Sequence, residues 1–208
     1  MINAYVYVFD TLADWEIGYI TAELNSRRFF KKDAPELTLK TVSTSKDPIH
    51  TMGGMTILPD CTPDQMVIDK SSVLLLPGGN TWSAPLHKDI LKKAAEFLDC
   101  GATVAAICGA TLGLAGCGLL DTRPHTSNGK GFIEMFCPKY KGQDFYRDEP
   151  SVSDGNLITS SGTSELLWAK LIIEHLEVFK PDTLEAWYQY WCKGTPECFH
   201  ALLKTMEQ

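Results

Sequence analysis

No block of basic residues occurs in the sequence. Its cations come singly or as pairs such as Lys31-Lys32 and Lys92-Lys93, and the formal net charge is −7. Such a chain is not expected to bind nucleic acid nonspecifically. Cys-x-x-Cys is absent, and no histidine stands at the spacing of a zinc motif, so no metal site is expected. The Gly-x-x-x-x-Gly-Lys phosphate loop is missing too. There are no internal repeats, low-complexity tracts or linkers, so one domain is expected over residues 1–208, long enough for a real core. The seven cysteines are odd in number and widely scattered. With no signal peptide in view, they lead to an expectation of reduced thiols and a cytoplasmic setting.

What the sequence does have is a charge-free run from Thr103 to Leu120, TVAAICGATLGLAGCGLL. Gly109, Gly113, Gly116 and Gly118 and the scarcity of large apolar side chains argue against a membrane span. The run changes character in the middle. Thr103 to Ile107 reads as a short buried strand, and Gly109 to Gly116 as a tightly packed helix. Cys108 sits at the join, where a strand-to-helix elbow holds up a nucleophile. A helix starting there aims N–H groups and a positive dipole end at the sulfur, which favours the thiolate. The plainer alternative is a small, inert core cysteine.

Around this run, apolar stretches and turn signals alternate. Strands are expected at Ala4–Phe9, Leu37–Ser43, Ser72–Pro77 and Thr103–Ile107, with a hairpin at Ser151–Ser160 around Asp154-Gly155. Helices are expected at about Trp15–Phe30 (capped by Asp14), Pro85–Cys100, Gly129–Tyr140 and Glu165–Phe179. Met52-Gly53-Gly54-Met55 suggests a hairpin-like excursion within Ile49–Pro59. The order points to a doubly wound α/β sandwich. Residues 181–208 read as two further helices, dense in aromatics, that pack on the core or else form an interface or lid. Three positions stay open at this level. Glu16 either complements the helix dipole or faces the crevice at the strand ends. Pro77-Gly78-Gly79 is either a plain turn or a place where backbone meets a ligand closely. His125 is either a surface or core histidine or a catalytic one.

Ala105-Ala106-Ile107-Cys108-Gly109-Ala110 resembles the nucleophile elbow of the ThiJ/PfpI family, a branch of the class I glutamine amidotransferase-like superfamily. Asp14-Trp15-Glu16, the Pro-Gly-Gly turn, the Gly118–Asp121 turn before His125 and DGNLITSSGTS extend the resemblance over residues 4–178. It implies a three-layer α/β/α sandwich with a mostly parallel, flavodoxin-like central sheet, plus C-terminal helices. It also implies Cys108 as nucleophile, His125 as its base, Glu16 tuning the sulfur, and Gly79 and Gly109 as oxyanion-hole donors. The implied activity is a cofactor-independent hydrolysis of an amide or peptide. The alternatives are a glyoxalase- or deglycase-like enzyme for small aldehydes and a non-enzymatic redox sensor or stress chaperone. A homodimer is expected, with a small-molecule or peptide substrate and neither nucleic acid nor membrane as partner. Two features depart from parts of the superfamily: Gly109 replaces the His that follows the cysteine in proteolytic members, and no late His-Pro-Glu-like element occurs.

Overall fold

A computed structural model describes residues 1–206. Its elements run β1 (Ile2–Tyr7), α1 (Asp14–Ser26), β2 (Leu37–Val42), β3 (Ile49–His50), β4 (Thr56–Ile57), β5 (Val73–Leu76), α2 (Lys88–Cys100) and β6 (Thr103–Ile107). There follow α3 (Ala110–Gly116), α4 (Phe132–Phe136), β7 (Ser151–Asp154), β8 (Leu157–Ser160), α5 (Glu165–His175), α6 (Pro181–Lys193) and α7 (Pro196–Met206). The main sheet has the order β2-β1-β5-β6-β8-β7. All its pairings are parallel except β7 with β8, which is the Asp154-Gly155 hairpin. β3 and β4 form a separate two-stranded hairpin around the Gly53-Gly54 turn.

Continuous apolar sequence places β5 and β6 at the centre. Every residue from Val73 to Leu76 and from Thr103 to Ile107 is buried, as a strand covered on both faces requires. α1, α5 and α6 form one covering layer, and α2 and α3 lie on the other face. The strand order reverses between β1, which leads across to β2, and β5, which starts the walk in the opposite direction. Open α/β sheets bind ligands at such a point, outside the carboxyl ends of the strands. The loops after β1, β5 and β6 all open there.

α6 and α7 belong to the globule. Trp187 of α6 is fully buried, and its indole N–H donates to Glu23 Oε1 of α1 at 2.9 Å. The Arg28 guanidinium also pairs with Glu23, so this buried carboxylate has two donors. Some sequence boundaries shift. α1 starts at Asp14 rather than being capped by it, and stops at Ser26, where Arg27 turns left-handed. α4 has five residues instead of the expected twelve or so: Gly129 and Gly131 adopt φ of +129° and +87° before it, and Pro138 closes it. No described helix is long and apolar enough to cross a membrane.

Candidate active site

Cys108 follows β6 directly and has φ +57°, in the left-handed region that a non-glycine residue enters only under constraint. The constraint is visible on both sides. Its N–H donates to the Ser160 carbonyl of β8 at 2.9 Å, and its carbonyl accepts from Thr111. The turn lifts the sulfur out of the sheet and leaves it half-buried, at the floor of a cavity of about 550 Å³.

Glu16, Asn128 and Gly162 surround the sulfur, and Gly78 and Trp15 hold two of them in place. Glu16, in the first turn of α1, is fully buried, and its Oε2 accepts the Gly78 N–H at 2.5 Å. Its other oxygen has no N–H or O–H donor and faces the thiol. The Asn128 Nδ2 donates to Cys108 Sγ at 3.2 Å, while its Oδ1 accepts the Gly162 N–H at 2.9 Å. That second bond fixes the amide so that its donor end faces sulfur. The Trp15 indole holds the Gly162 carbonyl from the other side at 3.3 Å. Glycine is required at 78 and 162 because there is no room for a methyl. A Cβ at Gly162 would stand 2.9 Å from Sγ, and one at Gly78 would stand 2.8 Å from both the Cys108 Cβ and the Glu16 carboxylate.

Thiol and carboxyl form one titrating unit. Burial pushes the Glu16 carboxyl up to about 7, against the pull of the Gly78 and Cys108 hydrogen bonds. Burial also pushes the Cys108 thiol up to about 11; the Glu16 charge adds to this, and the Asn128 and Gly109 donors oppose it. Most of the electrostatic push on sulfur disappears when the proton sits on Glu16 instead. Between these values the pair holds one proton, which rests on sulfur; Asn128 and Gly109 favour its passage to Glu16, which leaves the negative charge on sulfur.

Gly79 and Gly109 lie side by side: a Cβ on Gly109 would be 3.5 Å from the Gly79 nitrogen. Among the described residues, the Gly79 N–H has no backbone acceptor, and the Gly109 N–H, next to the sulfur, lowers the thiol's pKa. His125 is placed differently from the sequence expectation. It is fully buried, its Nδ1 bonds to the Arg123 carbonyl at 2.6 Å, and its Nε2 bonds to the Tyr140 hydroxyl at 2.5 Å. Its ring does not line the cavity that holds Cys108, and burial lowers its pKa. Both nitrogens are committed to the fold, so His125 is not positioned to take the thiol proton. Asn128, which the sequence reading passed over, stands at the sulfur instead.

The chain matches the DJ-1/PfpI family over residues 2–175. It is 48% identical over 206 residues to a Bacillus subtilis (strain 168) protein called "Uncharacterized protease YoaZ", covering 99% of this chain and 98% of that one. It is 30% identical to another from the same organism, "Uncharacterized protease YdeA", over 89% of this chain and 88% of that one. Among solved structures, a thiJ/pfpI family protein from Bacillus anthracis superposes with a TM-score of 0.95 at 46% identity, covering 99% of this chain and 97% of that one. A DJ-1 superfamily protein from Agrobacterium tumefaciens superposes at 0.79 and 29% identity, covering 92% and 97%.

Proposed function

The chain belongs to the DJ-1/PfpI family, and on that premise we propose that it is a cysteine-dependent hydrolase of amides or peptides in which Cys108 and Glu16 work as a couple. The observation that carries this reading is the buried Glu16 carboxyl against an elbow sulfur. Two relatives named as proteases agree with it.

In the reactive form the sulfur is a thiolate and Glu16 carries the proton. The thiolate adds to the carbonyl carbon, making a C–S bond, and the oxyanion is received by the Gly79 and Gly109 N–H groups. Collapse expels the amine, which takes the Glu16 proton. Water then adds to the thioester and gives a proton back to Glu16, and the thiolate leaves as the acid product departs. The cycle closes on the starting state with Glu16 as both acid and base, so His125 is not needed.

The test is intact-mass analysis during turnover of an activated ester or amide. An acyl adduct on Cys108 is expected, with loss of turnover in Cys108→Ser and a large fall in kcat in Glu16→Gln. Undiminished hydrolysis by Cys108→Ser would remove the reading.

A second reading has its own support. With no histidine at the sulfur, the Glu16 hydroxyl and the Asn128 amide could equally hold the oxygens of an oxidised cysteine. The protein would then sense peroxide. Dilute peroxide should add two oxygens to Cys108 selectively in the wild type and not in Glu16→Gln; oxidation spread evenly over all seven cysteines would exclude it. A reducing cytoplasm and a homodimer complete the proposal. The first agrees with seven cysteines that are all free, and sedimentation equilibrium decides the second.

A further inference from the structure

The cavity over Cys108 carries a charge pattern that thiol chemistry alone does not require. Asp148 and Glu149 line it, on the loop that leads into β7, and no lysine or arginine does. Among the described residues, neither carboxylate enters an ion pair. The neighbouring Arg147 turns its guanidinium to the carbonyls of Asp144 and Tyr146. At the floor, Glu16 is fully buried and its Oε1 has no donor. The Tyr146 hydroxyl, on the same wall, is buried without a hydrogen-bond partner. Trp15 and Tyr146 add aromatic rings to the lining, a residue type whose quadrupole attracts cations. An acidic rim and aromatic walls in a cavity lined by no lysine or arginine are complementary to a positively charged ligand.

We propose that this cavity selects carbonyl compounds bearing an ammonium or guanidinium group close to the reacting carbon, and turns away anionic ones. This rests on the hydrolase reading, whose substrates it narrows to basic amides and peptides. The carboxylates act on the approach and docking of the ligand, so the preference weakens as salt screens them.

The test separates the charge preference from the chemistry. Cys108 is labelled with three methanethiosulfonates of similar size, carrying a trimethylammonium, a hydroxyl or a sulfonate. In each reaction the thiolate forms an S–S bond to the reagent's sulfenyl sulfur and methanesulfinate leaves. Rates are read by peptide mapping at Cys108, with the exposed Cys117 and Cys192 of the same molecule as references. The cationic reagent is expected to outrun the anionic one by roughly 100-fold more at Cys108 than at the references at low salt. That ratio should fall about tenfold or more in an Asp148→Asn, Glu149→Gln double variant and at molar salt. Equal ratios at Cys108 and the references, or a ratio unmoved by the double variant, would overturn the proposal. Amides matched in size and differing in charge are then assayed for turnover. Turnover with no charge order counts against the proposal and leaves the hydrolase intact. Charge-ordered labelling without turnover of any amide supports the cavity's preference and removes the hydrolase.

Discussion

At Cys108 the decisive quantity is how a single proton is divided between sulfur and Glu16, and the side chains that bias the division are few. Asn128 is one. Its amide donates to sulfur and accepts from the Gly162 N–H, so Asn128→Ala removes a donor from the thiolate together with the acceptor of that N–H. The pH midpoint of Cys108 alkylation by iodoacetamide should rise by about one unit, the worth of one hydrogen bond to a charged group. His125→Ala should act on stability and leave the sulfur alone. It leaves a buried cavity and strips partners from the Arg123 carbonyl and the Tyr140 hydroxyl, costing about 2–4 kcal/mol in urea unfolding. The alkylation profile of the folded His125→Ala protein should match the wild type, and a midpoint moved by more than a unit would return His125 to the reaction. Gly162→Ala tests the packing. Its new methyl meets Sγ at 2.9 Å, so alkylation should slow at least tenfold while unfolding costs about 1–3 kcal/mol. An alanine variant that reacts at the wild-type rate would mean that the sulfur moves aside freely.

At the scale of elements, the strands were legible because their burial is written as apolar runs. Val73 to Leu76 and Thr103 to Ile107 have almost no alternative to the middle of a sheet. The elbow was legible for a related reason: a lone cysteine between such a run and a glycine-rich helix sits where the chain must turn. Asn128 was not legible. Its role depends on Gly162, thirty-four residues away, and nothing in Ser127-Asn128-Gly129 marks it off from a loop. His125 misled because the resemblance, through the Gly118–Asp121 turn before it, implies a catalytic histidine at that place, whereas the side chain is drawn inward by Tyr140 and an isolated β-bridge to Tyr146. The C-terminal helices were ambiguous between packing and lid until Trp187 was placed against Glu23. That contact carries its own prediction. Trp187→Phe keeps most of the buried surface but leaves Glu23 short of one donor, so it should cost about 1–3 kcal/mol. Cys108 alkylation should not change. A change in alkylation without a change in stability would point to α6 acting on the site rather than on the fold.

For the molecule as a whole, stability must respond to pH in two opposite directions, because its buried titratable groups are perturbed both ways. Burial lowers the pKa of His87, which is wedged among Tyr7, Thr81 and Trp82, and lowers that of His125. The unfolded chain therefore takes up protons at these sites first, and the stability they support is lost as pH falls below the ordinary histidine value. Glu16 works the other way. Its folded pKa, about 7, exceeds its value of 4.5 in the unfolded chain, so the folded protein holds this proton more tightly. The contribution is fully present below pH 4.5 and is lost as pH rises through about 7. Glu16→Gln abolishes the titration and keeps an acceptor for the Gly78 N–H. The stability of the wild type minus that of Glu16→Gln should thus decline steadily between about pH 4.5 and 8, by on the order of 2–3 kcal/mol in all. Urea unfolding of both proteins at pH 5, 6, 7 and 8 reads this difference directly, since the histidine contributions cancel between them. Parallel curves would mean that Glu16 carries an ordinary carboxylate pKa in the folded protein, and the shared proton on which the chemistry at Cys108 depends would then have no basis.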